Sequence, residues 1–353
     1  MKQVLMDYLI QAVKDEASDV FFVAGGPAGE KLGGRIRSMG GERLLPPETE
    51  KLVNALYELA GRSMEQYKKY GDDDFSLTLP GVARFRVNTY RQRGSMAAVI
   101  RVVSFDIPDW ESWGIAPQVM DLANTDAGMI LVTGTAGSGK STTQACLINR
   151  INETRECHIV TLEDPIEFLH RHKKSIVSQR EIAIDTADYL SALRACLRQA
   201  PDVILLGEMR DAETIHTAMT AAETGHTIVA TLHTHGAVNA LTRIIDAFPG
   251  EQQAQVRMQL SNILKTVVSQ QLLPGTDGNL VPAFEIMHMN SAIKSMLRDS
   301  KTHQIDNVIS SGAAEGMISM DHYILKLYKE GKIGKDTVLE YADHPEQLKR
   351  SLM

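Results

Sequence analysis

Residues 134–143 read GTAGSGKSTT, and no other stretch of the chain narrows the possible folds as far. Glycines at 134 and 139, followed by Lys140 and Ser141, have the Gly-x-x-x-x-Gly-Lys-Ser spacing of a phosphate-binding loop. Such a loop works only between a strand and a helix. The flanks agree, with GMILVT before it and STTQACLINRIN after it. Glycines let backbone N–H groups turn inward around phosphate oxygens, and the helix N-terminus adds partial positive charge. Lys140 can then reach the outer phosphates of a nucleoside triphosphate, and the Ser141 hydroxyl can bind Mg²⁺. Gly134, Thr135, Ala136, Gly137, Ser138, Gly139, Lys140, Ser141 and Thr142 are the expected nucleotide contacts.

The chain has 353 residues, room for two or three domains. Its formal net charge is −7, with no long basic run, which argues against broad nucleic-acid binding. Cys146, Cys157 and Cys196 form no CxxC pair, so a structural zinc site or a disulfide framework is not expected. The opening MKQVLMDYLIQAVKDEASD has helical spacing but lacks the apolar block and cleavage site of a signal peptide. No run approaches 18 uninterrupted apolar residues, so no membrane span is expected. The compartment expected from this is the cytoplasm.

Residues 1–105 mix helix and strand signals. Val4, Leu5, Tyr8, Leu9, Ala12 and Val13 share a helical face, PPETEKLVNALYELAG reads as a helix closing at Gly61, and residues 75–103 read as a run of strands with a turn at RQRG. This predicts an α+β domain. SFDIPDWESWGIAP, residues 104–117, marks an expected linker, set at 106–120 and docked in part by Trp110 and Trp113. From 121 to 288 strands alternate with helices, which predicts a mostly parallel sheet covered on both sides. TADYLSALRACLRQA reads as one helix stopped by Pro201, and DVILLG as a doubly buried strand. Residues 289–353 read as short helices.

Several side chains stand out. Glu208, after DVILLG, occupies the strand end where hydrolysis needs a carboxylate to hold Mg²⁺ or orient water. Asp202, at the other end, reads as structural. Glu163, Asp164 and Glu167 cluster after another strand, and a cation beside them would relieve their repulsion. His226 and His233 bracket a strand, with His235 close by; a three-histidine metal site is one reading of them. Arg101 interrupts the apolar run AAVIRVV. An arginine there is costly to bury unpaired, so it would pair with the acids of GDDDF or reach a phosphate on a neighbouring subunit. Arg86 raises the same choice.

Four boxes stand in one order: GTAGSGKSTT, LEDPIE, ILLGEMRD and TGHTIVATLHTHGA. Together they resemble the Walker A, Asp, Walker B and His boxes of the type II/type IV secretion ATPases. PGVARFRVN and RIIDAFP extend the likeness over nearly the whole chain. Within that family the chain is most similar to type IV pilus retraction ATPases; in SAIKSMLRD, Lys294 and Ser295 depart from the retraction-type pattern. The resemblance implies an α/β protein: a PAS-like N-terminal α+β domain, then a RecA-like P-loop ATPase domain with a helical C-terminus. It implies a homohexamer that hydrolyses ATP with Mg²⁺ and drives pilus retraction by turning a PilC-like inner-membrane platform protein. The motor would work at the inner face of the cytoplasmic membrane, attached only through that partner and without nucleic acid. Glu208, with Ser141, would serve the metal. Glu208 or Glu167 would activate water, with Glu163 beside them. His233 would sense the γ-phosphate, and Arg86 and Arg101 would act as fingers. A retraction paralogue, or an assembly or secretion ATPase of the same superfamily, is the nearest alternative. A RecA-type nucleic-acid motor is a distant one, predicting a basic channel, and a small-molecule kinase would need an acceptor site not seen here.

Overall fold

Alternation of apolar and polar residues divides the first hundred positions between two faces. A computed structural model describes residues 1–103, 107–349 and 352. Two units emerge, Met1–Asp106 with Glu167–Leu169, and Ile107–Ile166 with His170–Met353.

The first unit runs α1 (Lys2–Lys14), β1 (Asp19–Phe22), β2 (Gly29–Leu32), β3 (Arg35–Ser38), α2 (Pro46–Ala60), α3 (Glu65–Tyr70), β4 (Asp72–Leu79), β5 (Ala83–Gln92) and β6 (Ser95–Val103). Its six strands form an antiparallel sheet in the order β3-β2-β1-β6-β5-β4. Strands β2 and β3 are additions to the sequence reading; β3 is wholly exposed and carries no apolar alternation to betray it. The expected turn at RQRG is present, with Arg93 and Gly94 both at positive φ, the two-residue connection that suits strand twist. Helix α2 starts on prolines whose missing N–H groups cost nothing there, and Gly61 closes it in the left-handed region. Phe75, Leu77, Phe85, Val87 and Ile100 line the sheet face that packs with Leu5 and Leu9 of α1 and Leu52 and Leu56 of α2.

Arg86 and Arg101 lie on the other face, both exposed. This corrects the expectation for Arg101: period-two alternation turns it outward, so it carries no burial cost. Its partner is Asp19, with Nε 3.0 Å from Oδ1, and not the acids at 72–74. Of those acids, Asp73 points inward. It is buried and accepts from Arg62 Nε and Nη2 at 2.9 and 2.8 Å and from the Tyr57 hydroxyl at 3.1 Å. Burial pushes the Tyr57 phenol up to about 12.

The second unit contains α4 (Pro117–Met120), β7 (Gly128–Thr133), α5 (Lys140–Thr154), β8 (His158–Glu163), β9 (Ile176–Glu181), α6 (Tyr189–Cys196) and β10 (Val203–Leu206). Then come α7 (Ala212–Glu223), β11 (Thr227–Leu232), α8 (Ala237–Asp246), α9 (Gly250–Ile263), β12 (Leu264–Pro274) and β13 (Leu280–His288). Five helices close the chain: α10 (Ser291–Arg298), α11 (Ile305–Ser311), α12 (Met320–Lys329), α13 (Lys335–Tyr341) and α14 (Pro345–Leu348). The sheet order is β13-β12-β7-β11-β10-β8-β9, parallel except for the antiparallel edge strand β13. Strands β7, β10 and β11 are buried at every position. One set of their side chains joins helices α6–α11, and the alternate set joins α4, α5 and α12–α14. A sheet covered on both faces needs that continuous apolar run.

Two local readings change. Helix α6 ends at Cys196, short of Pro201: the backbone tightens there into i→i−3 hydrogen bonds, Arg198 to Ala195 and Gln199 to Cys196, and Ala200 then turns to a φ of 50°. Trp110 packs against the second core, but Trp113 is half exposed and contributes no docking there. Residues 104 and 105, at the end of the expected first domain, and 106, the first of the expected linker, lie outside the described residues. Asp202 is structural as expected: its carboxylate accepts the His158 N–H at 2.8 Å.

Replacing Asp73 with Ala should destabilise the first unit by about 2–3 kcal/mol, since it strands the Arg62 guanidinium and the Tyr57 hydroxyl. Chemical denaturation followed by circular dichroism measures this; an unchanged transition would contradict the assigned network.

Candidate active site

Parallel strands put their C-terminal ends on one edge, and the register here aligns them closely. Thr133 of β7 pairs with Leu232 of β11, Ala230 of β11 with Leu206 of β10, and Leu206 with Leu162 of β8. The residues just past those ends are therefore neighbours: the loop 134–139, His233, Glu208 and Glu163. Open α/β sheets bind ligands at this edge.

The loop is shaped by what lies under it. A Cβ at Gly134 would stand 2.4 Å from the Gln270 carbonyl oxygen of β12, with φ at +149°. A Cβ at Gly139 would stand 2.8 Å from the Gln270 side-chain nitrogen. Gln270 also accepts the Thr143 hydroxyl of α5 at 2.7 Å, tying loop and helix to the sheet. Gly137 meets nothing within 4 Å and needs only its positive φ. Lys140 is buried, its ammonium donating to the carbonyls of Gly134 and Thr135 at 2.9 and 2.7 Å. The hydroxyls of Ser138 and Thr234 are buried without a partner. A cationic ammonium, an unpaired buried hydroxyl and a glycine-lined helix N-terminus fit a polyphosphate. Ser141 and Thr142 are half-buried at the start of α5. A hydroxyl and a carboxylate oxygen are the hard donors Mg²⁺ takes, and Ser141 with Glu208 supplies that pair of groups.

Glu208 stands after β10, just past Gly207. A Cβ at Gly207 would meet the Tyr189 hydroxyl at 2.7 Å and the Leu162 carbonyl at 3.2 Å, so only glycine lets the chain turn there. The Thr231 hydroxyl donates to the Gly207 carbonyl and fixes the turn from the β11 side. The Glu208 carboxylate is 16% exposed and faces Arg210, which donates Nε to Oε1 and Nη2 to Oε2, the latter at 2.9 Å. His233 Nε2 lies 3.5 Å from Glu208 Oε2. Burial lowers the His233 pKa, and the charges of Lys140 and Arg210 lower it further. Lys140, Glu208, Arg210 and His233 form one electrostatic group.

Glu163 ends β8, its Oε1 accepting from the Thr161 hydroxyl at 2.6 Å and the Gln179 amide at 3.1 Å. Burial pushes the Tyr189 hydroxyl pKa up, and Asp164 and Glu163 add to the shift. Glu167 is exposed and groups with the first unit. His226 sits at the opposite end of β11 from the loop, where Nδ1 is 2.9 Å from the Ala221 carbonyl at the end of α7. His235 pairs with Gln271. The three histidines are therefore not gathered, and among the described residues no group of three or more His, Cys, Asp or Glu side chains could hold a metal ion.

In the first unit, Arg86 of β5 and Arg101 of β6 are register partners on the outer sheet face, beside Asp19, Asp74 and Asn88. Like charges directly opposite one another are unfavourable in a sheet. Asp19 offsets the charge of Arg101, its own register partner on β1.

Residues 1–314 match the family described as type II/IV secretion system protein. The chain belongs to the type II/IV secretion system proteins. Among relatives, the type IV pilus retraction ATPase PilT of Pseudomonas aeruginosa is 40% identical over 344 residues, covering 97% of this chain and 99% of the relative. A twitching motility protein of Neisseria gonorrhoeae is 44% identical over 283 residues, covering 80% and 76%. A crystal structure of the pilus retraction motor PilT with bound ADP superposes with a TM-score of 0.90 at 42% identity, covering 98% of each chain. The PAS-like α+β and RecA-like α/β architecture of this family member is thus seen both in its own strand order and in that superposition. No helix among the described residues is long and apolar enough to cross a membrane.

Gln270 and Arg210 escape a reading of the sequence alone. Gln270 leaves a faint signal, a polar SQQ within the apolar strand VVSQQLL. Arg210 lies inside the GEMRD box, but nothing in its spacing says that it clamps Glu208.

Gly134→Ala should abolish binding of a fluorescent ADP analogue, whereas Gly137→Ala should cost about 1 kcal/mol, the left-handed backbone penalty alone; equal effects would contradict the close approach of Gln270. In an NMR titration, His233 should titrate below the usual value of about 6.5. Arg210→Gln should raise that midpoint by removing a neighbouring positive charge, and a fall would refute the assigned cause.

Proposed function

We propose that this chain is the hexameric ATPase motor of type IV pilus retraction. The observation that carries the reading is the row of Lys140, His233 and Glu208 at the aligned strand ends, on a fold that superposes on a retraction motor. ATP lies along the loop 134–142, with Lys140 leaving the Gly134 and Thr135 carbonyls for the outer phosphates. Bound Mg²⁺, held by Ser141 and Glu208, supplies charge neutralisation for the phosphates.

Glu208 is the better placed carboxylate to orient the attacking water. It stands with Lys140 and His233 at the aligned strand ends, and it would take up the water once a nucleotide draws Arg210 off its two oxygens. Glu163 then serves as a positioning carboxylate. Glu167, the last residue of the Asp box and itself exposed, is the alternative carboxylate for activating water. A neutral His233 can donate one ring N–H to a γ-phosphate oxygen, so it distinguishes ATP from ADP. Arg86 and Arg101 serve as fingers: their outward, closely spaced cations suit the phosphates of a nucleotide bound by a neighbouring subunit. In this reading residues 1–105 form the finger-bearing domain, 106–120 the linker, 121–288 the ATPase core and 289–353 a helical region. Six subunits turn a PilC-like inner-membrane platform protein from the cytoplasmic side and attach peripherally through it.

Glu208→Gln should lower kcat by about 100-fold or more while leaving nucleotide binding in place. Arg86→Ala and Arg101→Ala should each suppress hydrolysis yet leave ADP binding by the isolated chain unchanged. Turnover at the unmodified rate in Glu208→Gln would end the assignment of the base. Impaired ADP binding in isolated arginine variants would end the assignment of fingers in trans.

A further inference from the structure

The segment that carries His233 is fixed by side chains outside the four boxes. After β11 the chain runs His233-Thr234-His235-Gly236 into α8. The Gly236 N–H donates to the Ser269 hydroxyl of β12 at 2.9 Å, and the Ala237 N–H donates to Glu285 Oε1 of β13 at 2.7 Å. The side-chain amide of Gln271 lies 2.7 Å from His235 Nε2. Ser269 and Gln271 are two residues apart on one face of β12, and Glu285 is the register partner of Ser269.

Glu285 is 6% exposed, where a carboxylate is expensive. Its neighbour Ile286 exchanges backbone hydrogen bonds with Ile318, at 2.8 and 3.1 Å, two residues before α12, which brings the start of that helix to β13. The Met320 N–H there favours the charged form of Glu285. One buried carboxylate thus caps α8 and stands beside the N-terminus of α12, where negative charge is favoured. Helix α8 leads back to His233, and α12 opens the C-terminal group α12–α14. A second thread runs beside it. His235 Nδ1 faces Asp343 Oδ1 at 3.7 Å, and the N–H groups of Asp343 and His344 donate to Asp321 of α12 at 2.7 and 3.1 Å.

We infer that Glu285 is a positioning residue for phosphate sensing: it seats the His233 loop and the N-terminus of α12 together, so the phosphate site and the C-terminal helices share one equilibrium. The inference rests on the reading of His233 as the sensor. A ligand that moves the loop also loosens or tightens α12, and the seating of α12 in turn biases nucleotide preference.

The test uses the full chain with Mg²⁺ and reads the affinity ratio of a non-hydrolysable ATP analogue to ADP. Glu285→Gln keeps the size of the side chain and removes the negative charge that the two helix N-termini favour. It should lower the ratio about tenfold, within the usual range of coupling between sites, with ADP affinity held within about twofold. Glu285→Asp should recover part of the ratio. His235→Ala, a half-exposed position that tolerates truncation, should lower the ratio in the same direction and carries the test where Glu285→Gln fails to fold. Equal weakening of both nucleotides, or no change in either, would overturn the inference, because a merely structural carboxylate acts that way. His233→Ala separates the two claims. If it leaves the ratio intact, the sensor reading fails. If it collapses the ratio, adding Glu285→Gln should lower it no further; a further independent loss would show that Glu285 does not act through that loop.

Discussion

The Gln270 carbonyl passes so close beneath the phosphate loop that residue 134 has room for no side chain. That contact sets the height of the whole nucleotide site. It holds the loop against β12, and the Gln270 side chain, through Thr143, holds α5 at the same level. The helix N-terminus, Lys140 and Ser141 are therefore placed by the sheet and not by the loop's own stiffness. The sheet can do this because β7 is central and buried on both faces, so its end cannot shift without disturbing two cores. The rigidity of the phosphate cradle is thus a matter of packing.

Much of this was legible in the sequence because the informative signals are local. A glycine loop needs particular backbone angles, a doubly buried strand needs an unbroken apolar run, and a helix N-cap needs a short acceptor such as Asp211. Each is written within about ten residues. The site residues at strand ends inherit that legibility, because Glu208 and His233 stand just past recognisable strands. What stayed hidden is non-local. Gln270 is 127 residues from the Thr143 it binds, and Glu285 is 48 from the Ala237 it caps. Arg101 shows the opposite error. Its apolar neighbours suggested a buried position, but alternation on β6 gives it the outer face and Asp19, 82 residues away, as its partner.

The histidines do not form a metal centre: among the described residues no group of three or more His, Cys, Asp or Glu side chains could hold an ion. Burial and two cations lower the His233 pKa, and the ring sits beside the carboxylate that those cations attract. Arg210 occupies both oxygens of Glu208. The negative charge of a nucleotide would compete for Lys140 and Arg210 alike, so its binding would redistribute the partners of Glu208. In the first unit, Arg86 and Arg101 set two cations side by side, with Asp19 offsetting one of them, on an exposed face of the sheet.

The central claim is that the active site is completed between subunits of a ring. It is tested most directly by the specific Mg²⁺-dependent ATPase activity of the full chain across a range of protein concentrations, with the mass in solution recorded at each. The account predicts that turnover per subunit rises steeply as the mass approaches that of six chains, while ADP affinity per subunit stays constant. Constant turnover per subunit down to concentrations where the chain is monomeric would contradict it.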